Sequence, residues 1–290
     1  MFLTIFTPTY NRANTLPRLY QSLMRQTVKD FCWLIVDDGS NDGTKELVDQ
    51  YISENKLSII YYKQENRGKS MAHNKGVEIT TSELFTCVDS DDLLIDNAVE
   101  KIHYTWKRAT SSDVGILAFK RTESRVVTEL QDTTTERCTL KGAYDHLGLK
   151  GDTMLVYRTD IIRNYSFPDF ENEKFVPEAY LYDQIDQIGT LMLLREPLYV
   201  CEYLSSGYTA NMAKLLFNNP EGYFCYINQR LRFDSSLKQR FAGSIRYDAM
   251  AIAHKRKGMI RSAVYPGLAL IAYPAGWLLY KRRYATYTEQ

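Results

Sequence analysis

The chain has 290 residues, of which 44% are hydrophobic and 24% are charged, as expected for a globular protein with a sizeable core. Its formal net charge of +1 argues against a protein that binds nucleic acid through bulk positive charge, so we expect no nucleic-acid partner. The five cysteines are scattered singly, without the spacing of a zinc site, which favours a reducing cytoplasm. The sequence does not start with a basic segment followed by a long apolar segment, so no secretory signal peptide is predicted.

Residues 1–110 alternate between apolar, strand-like runs and helices with one apolar face. The predicted strands are residues 2–6, 32–36, 58–62 and 84–88, and the predicted helices between them cover about 16–23, 43–54 and 70–78. This alternation predicts an α/β fold with a largely parallel sheet. Such a sheet binds its ligands beyond the carboxyl ends of its strands.

Beyond residue 110 the pattern is weaker. Strand-like runs cover residues 114–119, 126–128 and 198–203, a loop covers 132–136, and helical runs cover 223–231 and 246–257. We predict one α/β catalytic domain over residues 1–205, with a nucleotide-binding half (1–110) and an acceptor half (111–205). A helical C-terminal extension over residues 206–290 follows it. Residues 204–209 fit either a segment that closes over a ligand or a plain strand-to-helix loop.

An acidic cluster, Asp89-Ser90-Asp91-Asp92, directly follows the fourth predicted strand. Residues two apart in extended backbone point the same way, so the carboxylates of Asp89 and Asp91 can converge on one point. Hard carboxylate oxygens suit Mg²⁺ or Mn²⁺ better than zinc, and an ion with few protein ligands is commonly shared with a substrate diphosphate. An ordinary turn rich in Asp and Ser would show the same residues.

Three further polar clusters follow the other predicted strands. Residues 7–12 combine hydroxyls, an aromatic ring and the Arg12 guanidinium, which can surround a nucleobase and touch a phosphate; a polar loop is the alternative. They lack the GxGxxG turn of a dinucleotide-binding fold. Asp38 can accept the N3–H of uracil or bind a ribose hydroxyl, and its segment can equally cap the next helix. Arg67 and Lys69, beside a helix start, can bind an anion or a uracil carbonyl, or be solvated loop charges.

Taken together, the four clusters resemble glycosyltransferase family 2, the inverting transferases that use nucleotide-sugar donors and have the GT-A fold. The matching segments are Thr7-Pro8-Thr9-Tyr10-Asn11-Arg12, Val36-Asp37-Asp38-Gly39-Ser40, Asn66-Arg67-Gly68 with Ala72-His73-Asn74-Lys75-Gly76, and Asp89-Ser90-Asp91-Asp92. They occur in order over roughly residues 1–110. The fold that this resemblance implies is a mixed, mostly parallel, Rossmann-like sheet flanked by helices, with a helical C-terminal extension.

The resemblance also implies a role for each motif. The nucleotide-binding residues would be Thr7, Pro8, Tyr10, Arg12, Asp38, Arg67, Lys69, Asp89 and Ser90. Asp38 and Arg67 would hold the base. Asp89-Ser90-Asp91 would be the DxD motif, with Asp91 on a Mg²⁺ or Mn²⁺ ion and Asp89 on the ribose or the metal. His73 departs from the family, in which arginine is common at this position.

An inverting transfer needs a carboxylate that takes the proton of the acceptor hydroxyl. The family supplies it from an acidic motif before a helix in the second half of the domain. Glu178 fits best, because it precedes the patterned run Leu181, Ile185, Ile188 and Leu191. Ala179 stands where the family has a second acidic residue. The rival carboxylates are Glu171, Glu173, Asp183 and Asp186.

The C-terminal extension contains a run without charge, residues 262–280, followed directly by Lys281-Arg282-Arg283. Prolines and glycines interrupt the run, and aromatic residues give it an interfacial character. Basic groups on both sides would meet anionic lipid headgroups. We rank an interfacial membrane helix first, packing on the protein's own surface second and a true span third. Peripheral membrane contact is therefore expected through residues 262–283, on the inner face of the cell membrane.

The leading hypothesis is an inverting, metal-dependent hexosyl- or N-acetylhexosaminyltransferase. It would move a sugar from a UDP-sugar to a hydroxyl of a glycan or lipid-linked acceptor in cell-surface polysaccharide synthesis. One alternative is a membrane-associated nucleotide-binding module without transferase activity. The other is a DxD phosphohydrolase, which would need a nucleophilic Asp after the first strand, where this chain has Thr7-Pro8-Thr9.

Overall fold

The computed structural model describes residues 1–202 and 211–288, and these form two compact units. The sheet unit comprises residues 1–166 and 184–202, and the helical unit comprises 167–183 and the described part of 203–290. The sequence pattern did not indicate that residues 167–183 group with the C-terminal helices. The segment predicted at 204–209 lies outside the described residues.

The first half of the sheet unit alternates strand and helix as predicted. The elements are β1 (Leu3–Thr9), α1 (Leu16–Met24), β2 (Phe31–Asp37), α2 (Thr44–Glu54), β3 (Ile59–Lys63), α3 (Lys69–Ile79) and β4 (Leu84–Cys87). Strands β3, β2, β1 and β4 lie side by side in that order, and each neighbouring pair is parallel. Their carboxyl ends therefore share one edge of the sheet, which brings the four predicted clusters together.

The remaining elements up to residue 200 are five strands, which complete the sheet, and four helices. They are β5 (Leu93–Leu94), α4 (Ala98–Trp106), β6 (Asp113–Arg121), β7 (Arg137–Cys138), α5 (Leu140–His146), β8 (Thr153–Arg158), α6 (Thr159–Ile162), α7 (Ala179–Ile185) and β9 (Thr190–Val200). Strand β8 runs antiparallel between β4 and β6, and β6 pairs in parallel with β9. The described residues thus contain a mixed, mostly parallel sheet of nine strands.

Several predicted elements beyond residue 110 were wrong in detail, among them the runs 126–128 and 181–191. The run 126–128 is not a strand, because the chain turns back after Arg121 and Val126 makes only a single bridge to it. The helical run after Glu178 stops at Ile185, and Ile188 is 51% exposed outside it. The apolar residues of the run 181–191 therefore belong to two elements, the short helix α7 and the start of β9, and to the segment between them.

Apolar side chains of the parallel strands fill the core of the sheet unit. Leu3, Ile5, Trp33 and Ile35 are fully buried, and all seven residues of β2 are buried. A strand buried on both faces is typical of a parallel sheet that is covered by helices on both sides. His73 packs with the core as well, edge-on to the rings of Phe6 and Phe85.

The helical unit contains the C-terminal helices. They are α8 (Met212–Asn218), α9 (Pro220–Phe233), α10 (Leu237–Ala253), α11 (Met259–Ser262), α12 (Pro266–Arg283) and α13 (Ala285–Thr288). Helix α9 includes the run predicted at 223–231, whereas α10 starts earlier and ends earlier than the run at 246–257. Within residues 1–202 and 211–288, no helix combines the length and the apolar character needed to cross a membrane.

Candidate active site

Side-chain hydrogen bonds tie the turn after β1 to the turn after β2. The backbone N–H of Asn11 donates to Ser40 Oγ at 2.8 Å, and Asn11 Oδ1 accepts the N–H of Asn41 at 2.9 Å. Asp42 accepts the N–H of Thr44 at 3.2 Å, so this carboxylate braces the start of α2. These hydrogen bonds hold the two turns against each other at the carboxyl edge of the sheet.

Asp38, in the turn after β2, accepts hydrogen bonds from the loop that follows β3. It is 5% exposed, and its carboxylate accepts hydrogen bonds from Gln64 Nε2 at 2.8 Å and from the N–H groups of Arg67 and Gly68 at 2.9 and 2.7 Å. The neighbouring Gly39 has a φ of +89°, and a Cβ there would lie 3.1 Å from a backbone nitrogen of this loop. A carboxylate has roughly four acceptor positions, and the hydrogen bonds among the described residues occupy three of them. Asp38 thus positions Arg67, whose side chain is exposed.

Cations surround Asp89 at the end of β4. Lys69 Nζ lies 2.7 Å from Asp89 Oδ1. Burial alone would raise the pKa of Asp89, but the charges of Lys69, Lys120 and Arg12 outweigh it and lower that pKa, so the carboxylate is ionised. Lys69 and Asp89, from two separate predicted clusters, thus form an ion pair, and the charge of Arg12, from a third cluster, acts on the same carboxylate.

Tyr199, which is buried on β9, holds the backbone of the acidic turn. Its hydroxyl accepts the N–H of Asp89 at 2.9 Å and donates to Asp92 Oδ2 at 2.7 Å. Asp92 Oδ1 also accepts the N–H of Glu202 at 3.0 Å. Burial and the nearby charge of Asp89 raise the pKa of Asp92 to about 6. Asp92 therefore supports the turn through its hydrogen bonds to Tyr199 and to the backbone of Glu202.

Two residues of this network, Tyr199 and Lys120, were missed by the sequence analysis. Lys120 Nζ lies 3.9 Å from the centre of the Tyr199 ring, within the range of a cation–π contact. Both residues stand near the carboxyl ends of their strands, β9 and β6, which pair in parallel with each other. Lys120 directly follows the strand-like run 114–119, which was the available signal for it, whereas Tyr199 lies inside the run predicted at 198–203 and no local pattern marked it.

Ser90 and Asp91 complete the acidic turn. Ser90 is 5% exposed, and Asp91 is half-buried. In the part of the chain that the structure describes, no group of three or more His, Cys, Asp or Glu side chains could hold a metal ion. Ser90 and Asp91 lie in a turn in which the N–H of Asp92 donates to the carbonyl oxygen of Asp89 at 3.1 Å, so the backbone between Asp89 and Asp91 is not extended as predicted.

The predicted nucleotide-binding residues in and directly after β1 differ in exposure. The structure corrects the expectation that the Thr7 side chain lines a pocket, because β1 runs to Thr9 and places Thr7 inside the strand. Thr7 is fully buried, and its hydroxyl accepts the Nε1–H of Trp33 at 3.0 Å. Pro8 is half-buried and Tyr10 is 48% exposed, so these two residues are accessible to a ligand.

Three rivals of Glu178 as the base make contacts that hold other elements in place. Glu173 accepts two N–H groups in the first turn of α9, each at 2.8 Å, and Asp186 accepts two at the start of α5, at 2.8 and 2.6 Å. Asp183 lies 3.4 Å from an arginine nitrogen of α9. Glu178 directly precedes α7, as predicted, and both it and Glu171 are exposed.

A cavity of about 830 Å³ lies at the opposite edge of the sheet, near the start of β4 and the end of β8. Arg158 and Arg163 line it, but Arg158 pairs with Asp160 and Arg163 donates to the carbonyl of Thr80. None of the four predicted clusters lines this cavity. The carboxyl edge of the sheet therefore remains the candidate active site.

Comparison with known proteins identifies the family. The model of Glycosyl transferase family 2 matches residues 4–165, more than half of the chain. The chain belongs to this family. The matched residues include all four clusters, so the resemblance that they indicated is confirmed. The family 2 chain has the GT-A fold that the resemblance implied, with a helical C-terminal region.

The family 2 chain is similar in part to named relatives and, in fold, to solved structures. Glycosyltransferase GlyG of Streptococcus pneumoniae serotype 4 is 27% identical over 101 residues, which are 35% of this chain and 34% of GlyG. The putative teichuronic acid biosynthesis glycosyltransferase TuaG of Bacillus subtilis (strain 168) is 30% identical over 99 residues, 34% of this chain and 39% of TuaG. The match thus spans about a third of the length of these relatives. The crystal structure of S. aureus TarS 1-349 in complex with UDP-GlcNAc has a TM-score of 0.62 at 16% identity, over 100% of this chain and 92% of the TarS chain.

Proposed function

We propose that this family 2 protein is an inverting glycosyltransferase with a UDP-sugar donor. It would transfer a hexose or N-acetylhexosamine to a hydroxyl of a glycan or lipid-linked acceptor, in the synthesis of a cell-surface polysaccharide. The observation that carries the proposal is the ion pair of Lys69 and Asp89 at the carboxyl edge of the sheet, where the charges of Lys120 and Arg12 also act on the Asp89 carboxylate. Parallel sheets bind nucleotides at this edge, and cations there would offset the charge of a diphosphate. The UDP-GlcNAc named for TarS and the teichuronic acid named for TuaG support this choice of donor and product class.

The uracil would be held by Asp38 and Arg67. Among the described residues three donors reach the Asp38 carboxylate, and its fourth acceptor position would suit the N3–H of uracil. The exposed guanidinium of Arg67 would donate to a uracil carbonyl. Tyr10 and Pro8 are accessible and would pack against the nucleoside. This proposal gives Thr7 no direct ligand contact, because its side chain is buried.

A Mg²⁺ or Mn²⁺ ion would be held by Asp91, with Asp89 on the ribose or on the same ion. Two carboxylates fit such an ion when diphosphate oxygens and water supply the remaining ligands. Lys69 already pairs with Asp89, so we expect Lys69 to face the diphosphate as well. When bound, the ion would stabilise the negative charge that develops on the departing diphosphate.

The base would be Glu178. In an inverting transfer the acceptor oxygen attacks the anomeric carbon on the face opposite the diphosphate, the bond from that carbon to the diphosphate oxygen breaks, and the base takes the hydroxyl proton. Glu178 is proposed because, of the five carboxylates considered, it alone directly precedes a helix, and because it is exposed and therefore accessible to an acceptor.

A donor screen by UDP release tests this function. UDP-glucose, UDP-galactose, UDP-GlcNAc and a GDP-sugar would be offered with glycan and lipid-linked acceptors, and release should require one of the UDP-sugars. Glu178→Gln should lower the transfer rate by about 10²–10⁴ while UDP affinity is unchanged. Glu171→Gln is the matched control and should keep the wild-type rate. Transfer that survives Glu178→Gln would reject this base, and release from the GDP-sugar alone would reject the donor.

Peripheral membrane contact on the inner face of the cell membrane is also proposed, through residues 262–283. A lipid-linked acceptor would be anchored there, so contact with the membrane would bring enzyme and acceptor together. The segment has the basic flanks and aromatic residues of an interfacial helix.

A further inference from the structure

The outward side of α12 is apolar. Leu270, Ile271 and Leu278 are 65%, 68% and 63% exposed, and Tyr273 and Trp277 are 42% and 44% exposed. These five residues are the apolar stripe. Four of them fall at positions i, i+1, i+7 and i+8, so they share one side of the helix.

The other side of α12 packs on α10 through small residues. Ala269, Ala272 and Gly276 are buried there. A Cβ added at Gly276 would lie only 2.5 Å from the Cβ of Asp248, so the two helices are in close contact at this point. The apolar stripe therefore has no part in holding α12 to α10.

Positive charge borders the apolar stripe. From residue 249 to 288 the sequence has no Asp or Glu and seven basic residues: Lys255, Arg256, Lys257, Arg261, Lys281, Arg282 and Arg283. The ring of Phe217 lies at a tilt to His254, at the end of α10, and stacks on Tyr284, after α12, with ring centres 4.7 and 6.5 Å apart. The basic runs beside His254 and Tyr284 thus lie at the same end of the helix pair.

We propose that the apolar stripe lies in the headgroup region of an anionic lipid bilayer. An exposed apolar helix face with aromatic residues and many cations is typical of a helix that lies in the plane of a membrane surface. A second copy of the chain would also cover the stripe, but it would bring two sets of cations together, so charge favours the lipid. This inference specifies the membrane contact proposed above, and its residues are separate from those of the transfer site.

Co-sedimentation of the full chain with lipid vesicles tests the inference. Vesicles of phosphatidylcholine mixed with phosphatidylglycerol should bind the protein, and phosphatidylcholine alone should bind it more weakly. Lys281→Gln with Arg282→Gln should weaken binding roughly 25-fold, because each cation near an anionic surface contributes about a fivefold factor. Leu270→Ser with Leu278→Ser should weaken it at least about tenfold, because less apolar surface enters the bilayer.

Matched controls are Ile52→Ser and Lys150→Gln, which change an exposed apolar residue and an exposed cation of the sheet unit and should bind as the wild type does. Thermal melts would show that every variant is folded. Equal binding to both kinds of vesicle, or unchanged binding of the double variants, would overturn the inference. So would an oligomer that forms without vesicles and is lost in the stripe variant, because the stripe would then bind a second copy. UDP release in the absence of lipid reports on the proposed function separately, and we expect it to be unchanged in all these variants.

Discussion

The hydroxyl of Tyr199 offers a sharp test of how the acidic turn is built. Tyr199→Phe removes one oxygen from a side chain that is 1% exposed. The N–H of Asp89 then loses its acceptor, and Asp92 keeps only the N–H of Glu202. Leaving a buried polar group unpaired costs about 1–3 kcal/mol, so we expect the free energy of unfolding to fall by about 2–3 kcal/mol. For a protein of this size the melting midpoint should fall by roughly 4–12 °C.

The same change should weaken ligand binding, because the Asp89 backbone is no longer fixed. We expect the affinity for UDP with Mn²⁺ to fall by about tenfold, or about 1.4 kcal/mol. Denaturant unfolding and calorimetry measure the two effects. Tyr104→Phe is the control, since Tyr104 is 69% exposed and a surface change of this kind stays within about 0.5 kcal/mol. Wild-type stability in Tyr199→Phe would refute the hydrogen-bond argument. Lower stability with unchanged UDP affinity would refute the link between Tyr199 and the site.

Three further changes test other parts of the structure. Gly39→Ala should lower the free energy of unfolding by about 1–2 kcal/mol, because alanine is strained at a φ of +89°; denaturant unfolding at wild-type stability would contradict this. Asp38→Ala should cost about 2–4 kcal/mol, because buried donors lose their acceptor, and it should also reduce UDP binding in calorimetry; an unchanged UDP affinity would contradict the role in the base pocket. Burial raises the pKa of Asp248 to about 7, and neither of its oxygens accepts a hydrogen bond from a described residue. Between about pH 4 and pH 7 the Asp248 carboxyl is protonated in the folded protein but ionised in the unfolded chain. The free energy of unfolding therefore falls as the pH rises through this range, by up to about 4 kcal/mol. Asp248→Asn should therefore raise the melting midpoint at pH 8 and leave it nearly unchanged at pH 5; an equal shift at both values would contradict the assignment.

The first half of the fold was predictable because its signals are local. Buried strands such as β2 read as short apolar runs, and the polar clusters directly follow them. The convergence of Asp38, Arg67 and Asp89 then follows from the parallel order of four strands. The error at Thr7 has a simple cause: the predicted strand ended at residue 6, whereas β1 continues to Thr9.

The rest depends on contacts between distant residues. Tyr199 and Asp89 are 110 positions apart, and their hydrogen bond depends on the place of β9 in the sheet. No local pattern predicts that place, because β8 enters antiparallel between β4 and β6. The apolar character of residues 262–280 was visible in the sequence, but which side of α12 is exposed follows from its packing on α10.

Calorimetric titration of the full chain with UDP tests the central claim most directly. We predict that UDP binds in the presence of Mn²⁺, that chelation weakens the affinity by at least about tenfold, and that Asp91→Asn binds with or without Mn²⁺ as the chelated wild type does. GDP serves as the control and should bind more weakly. The absence of UDP binding in both conditions would contradict the donor assignment. The same UDP affinity with and without Mn²⁺ would contradict the metal site at Asp91.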